Sequence, residues 1–176
     1  MTIFLVMYNN RYNYDFYDRI WSPCELSSDW RRLSTSLNND DQVHNKYNLP
    51  AVVMSTAVTP VNASVPLQFH WDADNVSDQF QVFLHFKEVE KLDGNETRAF
   101  NITSNFKVNG LMMHSIFRKE NTILCGKSLT GATRYHISLS KTENSTRPPI
   151  LNAFEIYMEK DISQSETDKD DGKLAL

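Results

Sequence analysis

The stretch Gln79-Phe80-Gln81-Val82-Phe83-Leu84-His85-Phe86-Lys87-Glu88 constrains the fold more than any other. Phe80, Val82, Leu84 and Phe86 recur at every second position with Gln79, Gln81 and His85 between them. That period of two builds one apolar face of a strand and does not suit a helix. Each of the four side chains is worth roughly 1.5–3 kcal/mol if it leaves water, so the face demands a partner surface. Leu67/Phe69/Trp71, Phe100/Ile102, Tyr135/Ile137/Leu139 and Phe154/Ile156/Met158 supply it, each set alternating with polar or half-polar neighbours. Several short alternating strands separated by turn residues predict an all-β fold, a sandwich of two antiparallel sheets.

A chain of 176 residues holds one domain with a substantial core. The net charge of −4 and the lack of a basic run argue against nucleic acid and against an anionic membrane surface as partners. Met1–Met7 is apolar but lacks a basic flank and a small-residue cleavage site, which makes it a poor export signal. No window approaches the roughly 20 apolar residues that span a bilayer, so direct membrane insertion is not expected. Cys24 and Cys125 have no metal-type spacing, and two buried thiols or one bridge both remain open.

Residues 8–30 carry Tyr8, Tyr12, Tyr14, Phe16, Tyr17, Trp21 and Trp30 among short polar side chains. Such rings can stack on sugars, or they can cover the end of a sandwich. A strand is expected near Arg31–Leu37, followed by a polar loop. The prolines between Pro50 and Pro66 predict a short helical turn and an extended edge segment. Lys91–Asn95 and Asn109-Gly110 have the chemistry of hairpin turns. The expected division is an N-terminal segment at 1–11, the sandwich at 12–160 and a flexible polar tail at 161–176.

Catalytic and metal signatures are weak. Asp72–Asp78 is rich in acids, but Val76, Ser77 and Phe83 stand where a calcium loop wants a ligand, a glycine and a bidentate acid, so no metal is assigned. Asn121–Ser128 ends like a phosphate loop without its leading glycine or a following helix. Glu88 and Glu90 form a carboxylate pair, for which solvated or separately paired side chains are expected rather than acid–base work. His70, His85 and His136 fall on polar strand faces, where a hydrogen-bonded surface histidine is the ordinary reading. No catalytic residue and no cofactor is assigned. Five N-x-[ST] sequons, at Asn62, Asn75, Asn95, Asn101 and Asn144, exceed the roughly two or three that chance would give and predict a glycosylated, secreted surface.

A set of blocks then resembles a known family. Tyr17-Asp18-Arg19-Ile20-Trp21, Val53–Ala57, Thr59–Ser64, His85–Val89, Thr97–Ile102, Leu129–Thr133 and Pro148–Tyr157 resemble, in order and spacing, the malectin-like ectodomain of plant leucine-rich-repeat receptor-like kinases. The resemblance runs from about Tyr12 to Asp171. It implies a galactose-binding-like jelly-roll β-sandwich at the extracellular face of the plasma membrane. It also implies the second half of a tandem ectodomain, so the chain is expected to be a piece or a truncated product of such a receptor, without the kinase.

Two functional expectations follow from the resemblance. One is a noncatalytic module that binds carbohydrate or a glycosylated ligand, with Tyr17, Trp21, Trp30 and Trp71 as stacking rings and Asp18 and Asp72 as hydroxyl acceptors. The other is a protein-interaction module that takes a peptide or a co-receptor. An inert receptor remnant is the third possibility.

Overall fold

The computed structural model describes residues 2–4, 10–12, 15–23, 27–35, 47–106, 113–117, 121–124 and 128–160. In chain order the elements are β1 (Thr2–Phe4), β2 (Asn10–Arg11), β3 (Ile20–Trp21), β4 (Trp30–Ser34), α1 (Ala51–Met54), β5 (Thr56–Pro60), β6 (Leu67–Asp72), β7 (Gln79–Phe86), β8 (Arg98–Ser104), β9 (Met113–Phe117), β10 (Asn121–Leu124), β11 (Arg134–Lys141) and β12 (Ala153–Glu159). They build two antiparallel four-stranded sheets, sheet I in the order β1-β12-β7-β10 and sheet II in the order β6-β11-β8-β9. Two short pairs, β2 with β3 and β4 with β5, stand beside them. The all-β sandwich expected from the alternation is the observed architecture.

The alternation decides which faces meet. Phe80, Val82, Leu84 and Phe86 of β7 point inward with Phe154 and Ile156 of β12, against Leu67, Phe100, Tyr135, Ile137 and Leu139 of sheet II. Aromatic rings bridge the two sheets: Phe69 stacks on Phe154 with centroids 4.5 Å apart, and Phe86 lies 5.3 Å from Phe100. Such pairs add about 0.5–1.5 kcal/mol each beyond their buried area.

Connectivity departs from a hairpin reading in one place. Lys91–Asn95 lies in the connection that leaves β7 in sheet I and enters β8 in sheet II, so its turn chemistry serves a crossing between layers. Turn residues encode a reversal of direction, and the sheet that receives the next strand is settled by the core. Here the crossing is pinned by Arg98, fully buried at the start of β8, whose guanidinium donates to Glu88 at 2.8 Å and to Glu90 at 2.7 Å. The two carboxylates that would repel one another thus share one cation. Asn109-Gly110, Cys24, Cys125 and the tail at 161–176 lie outside the described residues.

The proline-rich stretch forms the short α1 and then β5, as expected, with Val53 and Met54 buried. The strand expected at Arg31–Leu37 is observed as Trp30–Ser34, paired with β5. The fully buried Asn152 fastens this region to the sandwich. Its Nδ2 donates to the carbonyls of Met54 at 3.2 Å and Thr56 at 2.8 Å, and its Oδ1 accepts from the Lys87 amide at 2.6 Å.

Candidate functional site

The outer face of sheet I carries the site. Because Phe154 and Ile156 point inward, Ala153, Glu155, Tyr157 and Glu159 point outward along β12. Gln79, Gln81, Phe83 and His85 do the same along β7. One end of this outer face is covered: Trp21, Leu49, Val53 and Met54 pack with Ala153 into a second apolar cluster, with Tyr12 and Tyr47 against it. Among the described residues the other end is left open, and where the cover stops a cavity of about 730 Å³ forms, lined by Tyr17, Arg19, Tyr47, Gln81, Phe83, Glu155 and Tyr157.

The cover is locked by a buried charge network. Asp15 accepts Nε of Arg19 at 2.9 Å, Nε1 of Trp21 at 2.6 Å and the Tyr17 amide at 3.1 Å. Arg19 reaches on, donating through Nη1 to Glu155 at 3.1 Å and through Nη2 to the carbonyl of Asn48 at 2.8 Å. Its guanidinium sits 4.8 Å from the Trp21 ring and 5.2 Å from the Tyr17 ring, a cation between two aromatic faces. The backbone supports this geometry: Asn48 adopts φ 45°, in the left-handed region that asparagine tolerates, and Asp18 closes the Asp15–Asp18 turn at φ 52°.

Glu155 is the centre of the network. Its Oε1 faces both Arg19 and Nε2 of His85, the latter at 2.8 Å, and its Oε2 accepts from the Tyr157 hydroxyl. Burial is the strongest single influence on its carboxyl and pushes the pKa up; the hydrogen bonds from His85 and Tyr157 and the charge of Arg19 outweigh it, so the group ends below the usual carboxylate range. His85 is completely buried, with Nδ1 at 2.9 Å from the Thr122 hydroxyl. The expectation of a surface histidine is thereby corrected. Period two does place His85 on the outer face, and the Asp15–Trp21 and Tyr47–Met54 segments then cover that face.

The rings of the cavity stand edge to face, Tyr47 to Phe83 at 5.7 Å and Phe83 to Tyr157 at 5.9 Å. Together they offer apolar faces set at steep angles beside fixed hydrogen-bonding groups, a combination that suits ring-shaped, hydroxyl-rich ligands. Among the described residues no group of three or more His, Cys, Asp or Glu side chains is arranged to hold a metal ion.

The six residues expected from the sequence to touch a ligand are dispersed. Tyr17 lines the cavity and is 56% exposed. Asp18 sits next to it on the surface, paired with Arg11. Trp21 has no exposed surface and belongs to the cluster beneath the cover. Trp30 is half-buried against the sandwich core, and Trp71 stacks on Tyr135 at 5.2 Å on the inner face of sheet II. Asp72, exposed at the end of β6, is paired with Arg134 at 2.6 Å. Arg19, Tyr47, Gln81, Phe83, Glu155 and Tyr157 were the lining residues missed. The available signal was Phe83, a large aromatic at a polar-face position of β7, opposite Glu155 of β12 in the ladder.

Asn62, Asn75, Asn95 and Asn144 are exposed in connections between strands. Asn101 lies within β8, half-buried, and its Oδ1 is buried with no hydrogen-bond partner among the described residues. None of the five sequons lies on sheet I.

Comparison with known proteins agrees with this architecture. Residues 5–159 match the malectin-like domain family. Two probable LRR receptor-like serine/threonine-protein kinases of Arabidopsis thaliana are 38% and 40% identical to this chain, each match covering 92% of it. The chain spans 18% of the length of each of those relatives. Among solved structures, the extracellular domain of ANXUR2 from Arabidopsis thaliana superposes with a TM-score of 0.61 at 18% identity, over 82% of this chain and 44% of that one. The ANXUR1 extracellular domain gives 0.59 at 18% identity, over 81% and 43%. These two likenesses speak to the fold, and the match over nearly all of the described sandwich establishes the family: this chain belongs to the malectin-like domain family, with receptor-like kinases of the leucine-rich-repeat type among its relatives.

Proposed function

We propose that the chain is a noncatalytic, extracellular recognition module of the receptor-kinase type, and that it binds carbohydrate in the cavity on the outer face of sheet I. The observation that carries this reading is the cavity itself, where the rings of Tyr17, Tyr47, Phe83 and Tyr157 stand beside Gln81 and Glu155. A pyranose has apolar C–H faces for such rings and hydroxyl edges for the polar groups, and a volume of about 730 Å³ falls within the usual range for a small-ligand site. The distribution of sequons supports it as well, since glycans at those five asparagines would leave sheet I uncovered.

The test is a glycan-array screen of the secreted chain, followed by titration of the strongest hit against wild type and the Tyr17→Ala/Phe83→Ala double variant. Binding in the millimolar to micromolar range is expected, about 4–8 kcal/mol. Removing the two rings should weaken it about tenfold or more while thermal unfolding shows the variant still folded. Unchanged affinity in the folded double variant would exclude the cavity as the site.

One observation favours a peptide or co-receptor instead: Phe16 and Ile20, 77% and 60% exposed, lie in the same short segment as the exposed Tyr17, whose ring the Phe16 ring meets edge to face at 5.2 Å. Exposed apolar side chains in a cluster are common where proteins dock. A blank glycan array together with an ectodomain capture that Phe16→Ser/Ile20→Ser abolishes would favour this second reading.

A further inference from the structure

We infer that the cavity selects neutral sugars and turns away uronic acids and other carboxylated glycans, an inference that rests on the sugar-binding reading above. A carboxylated sugar needs a cation that is free to meet it. Arg19 is the one Lys or Arg among the described lining residues, and each of its three nitrogens is already engaged. Nε lies against Asp15, Nη1 against Glu155, and Nη2 against backbone carbonyls that belong to the cover. Two buried carboxylates therefore hold one guanidinium, which leaves no positive surplus toward the cavity. Arg19 is itself buried and flanked by the rings of Tyr17 and Trp21, so it cannot turn outward without dismantling the cover.

The surroundings add negative charge. Glu159, exposed at the end of β12, accepts from Nε2 of Gln81 at 2.8 Å and from the Ser128 hydroxyl. Those two hydrogen bonds hold its carboxyl below the usual carboxylate range and so favour the charged form. Arg11, on β2, is paired with Asp18, the neighbour of Tyr17. A uronate entering the cavity meets Glu155 in the lining, in a partly desolvated space where charge interactions are stronger than in water, and has the exposed Glu159 beside Gln81 as a second like charge. A neutral sugar meets none of this. The lining also offers an acceptor to it, the carbonyl oxygen of Gln81, whose Nε2 is spent on Ser128 and Glu159. Sugar hydroxyls are the donors that such an acceptor suits.

The inference is tested by titrating the whole secreted chain, at low and at 0.5 M salt, with a neutral oligosaccharide that the array identifies, with the same backbone carrying carboxylates at C6, and with that acid after chemical reduction of its carboxyls. The expected result is affinity for the neutral and the reduced sugars and at least a tenfold weaker affinity for the acid, with the gap narrowing at high salt. Glu159→Gln, which keeps the hydrogen-bond acceptor and removes the charge, should narrow the gap severalfold. Equal or tighter binding of the acid overturns the inference and leaves sugar binding standing. A chain that binds none of the three sugars overturns the sugar-binding reading and this inference with it.

Discussion

Glu155 shows how one residue serves both the fold and the site. A carboxylate this deep in the protein is tolerated because Arg19, His85 and Tyr157 converge on it. Its carboxyl titrates lower in the folded chain than in the unfolded one, where 4.5 is the ordinary value. The stabilisation is therefore complete above about pH 4.5 and is lost as the pH falls through the folded-state value. Glu155→Gln keeps the shape and removes the charge; it should cost about 3 kcal/mol at neutral pH, because Arg19 and His85 lose an ionised partner. Urea unfolding of the two proteins at pH 7 and at pH 4 checks this: the gap between them should shrink at the lower pH. A gap that stays constant would mean that the network is not what holds the carboxyl ionised.

At the scale of elements, the sandwich and its cover are separate layers that must be fastened. The cover meets sheet I through the Trp21 cluster, and α1 and β5 meet the end of β7 through Asn152. A single amide satisfies two buried carbonyls and one backbone amide there, and leaving such groups unpaired costs about 1–3 kcal/mol each. Asn152→Ala is expected to destabilise the fold by about 3 kcal/mol, measured by thermal or denaturant unfolding. Asn152→Asp should do at least as much damage, because it turns acceptor oxygens toward the carbonyls of Met54 and Thr56. A value within about 0.5 kcal/mol of wild type, the range of ordinary surface changes, would show that the region is held by apolar packing alone.

At the scale of the whole molecule, all five sequons lie away from the strands of sheet I. Asn62, Asn75, Asn95 and Asn144 are exposed in connections, whereas Asn101 is half-buried within a strand. Two of the sequons are neighbours in space, since the Thr97 amide of one donates to the Thr146 hydroxyl of the other at 2.8 Å. Peptide mapping of the chain secreted from a eukaryotic host should find glycans at the four exposed asparagines and Asn101 unmodified. Enzymatic trimming of those glycans should leave ligand affinity within about twofold, because none stands on sheet I. A large change on trimming would place a glycan at the binding surface.

The sequence by itself determined the layers. Period two in β7, β6, β11 and β12 names the inward side chains almost one for one, because a strand has two faces and burial selects the apolar one. The prolines and turn residues likewise place the short helix and several strand ends, since backbone geometry is a local property. The site depended on tertiary structure. Period two assigns Gln81, Phe83, His85, Glu155 and Tyr157 to an outer face, but a local pattern carries no information on what a distant segment later covers. Arg19 meets Glu155 across 136 positions of sequence, and that contact separates the buried end of sheet I from its open end. For the same reason Trp21, an aromatic well suited to a ligand, became the core of the cover, while Tyr17, four positions earlier and on an exposed turn, reached the cavity.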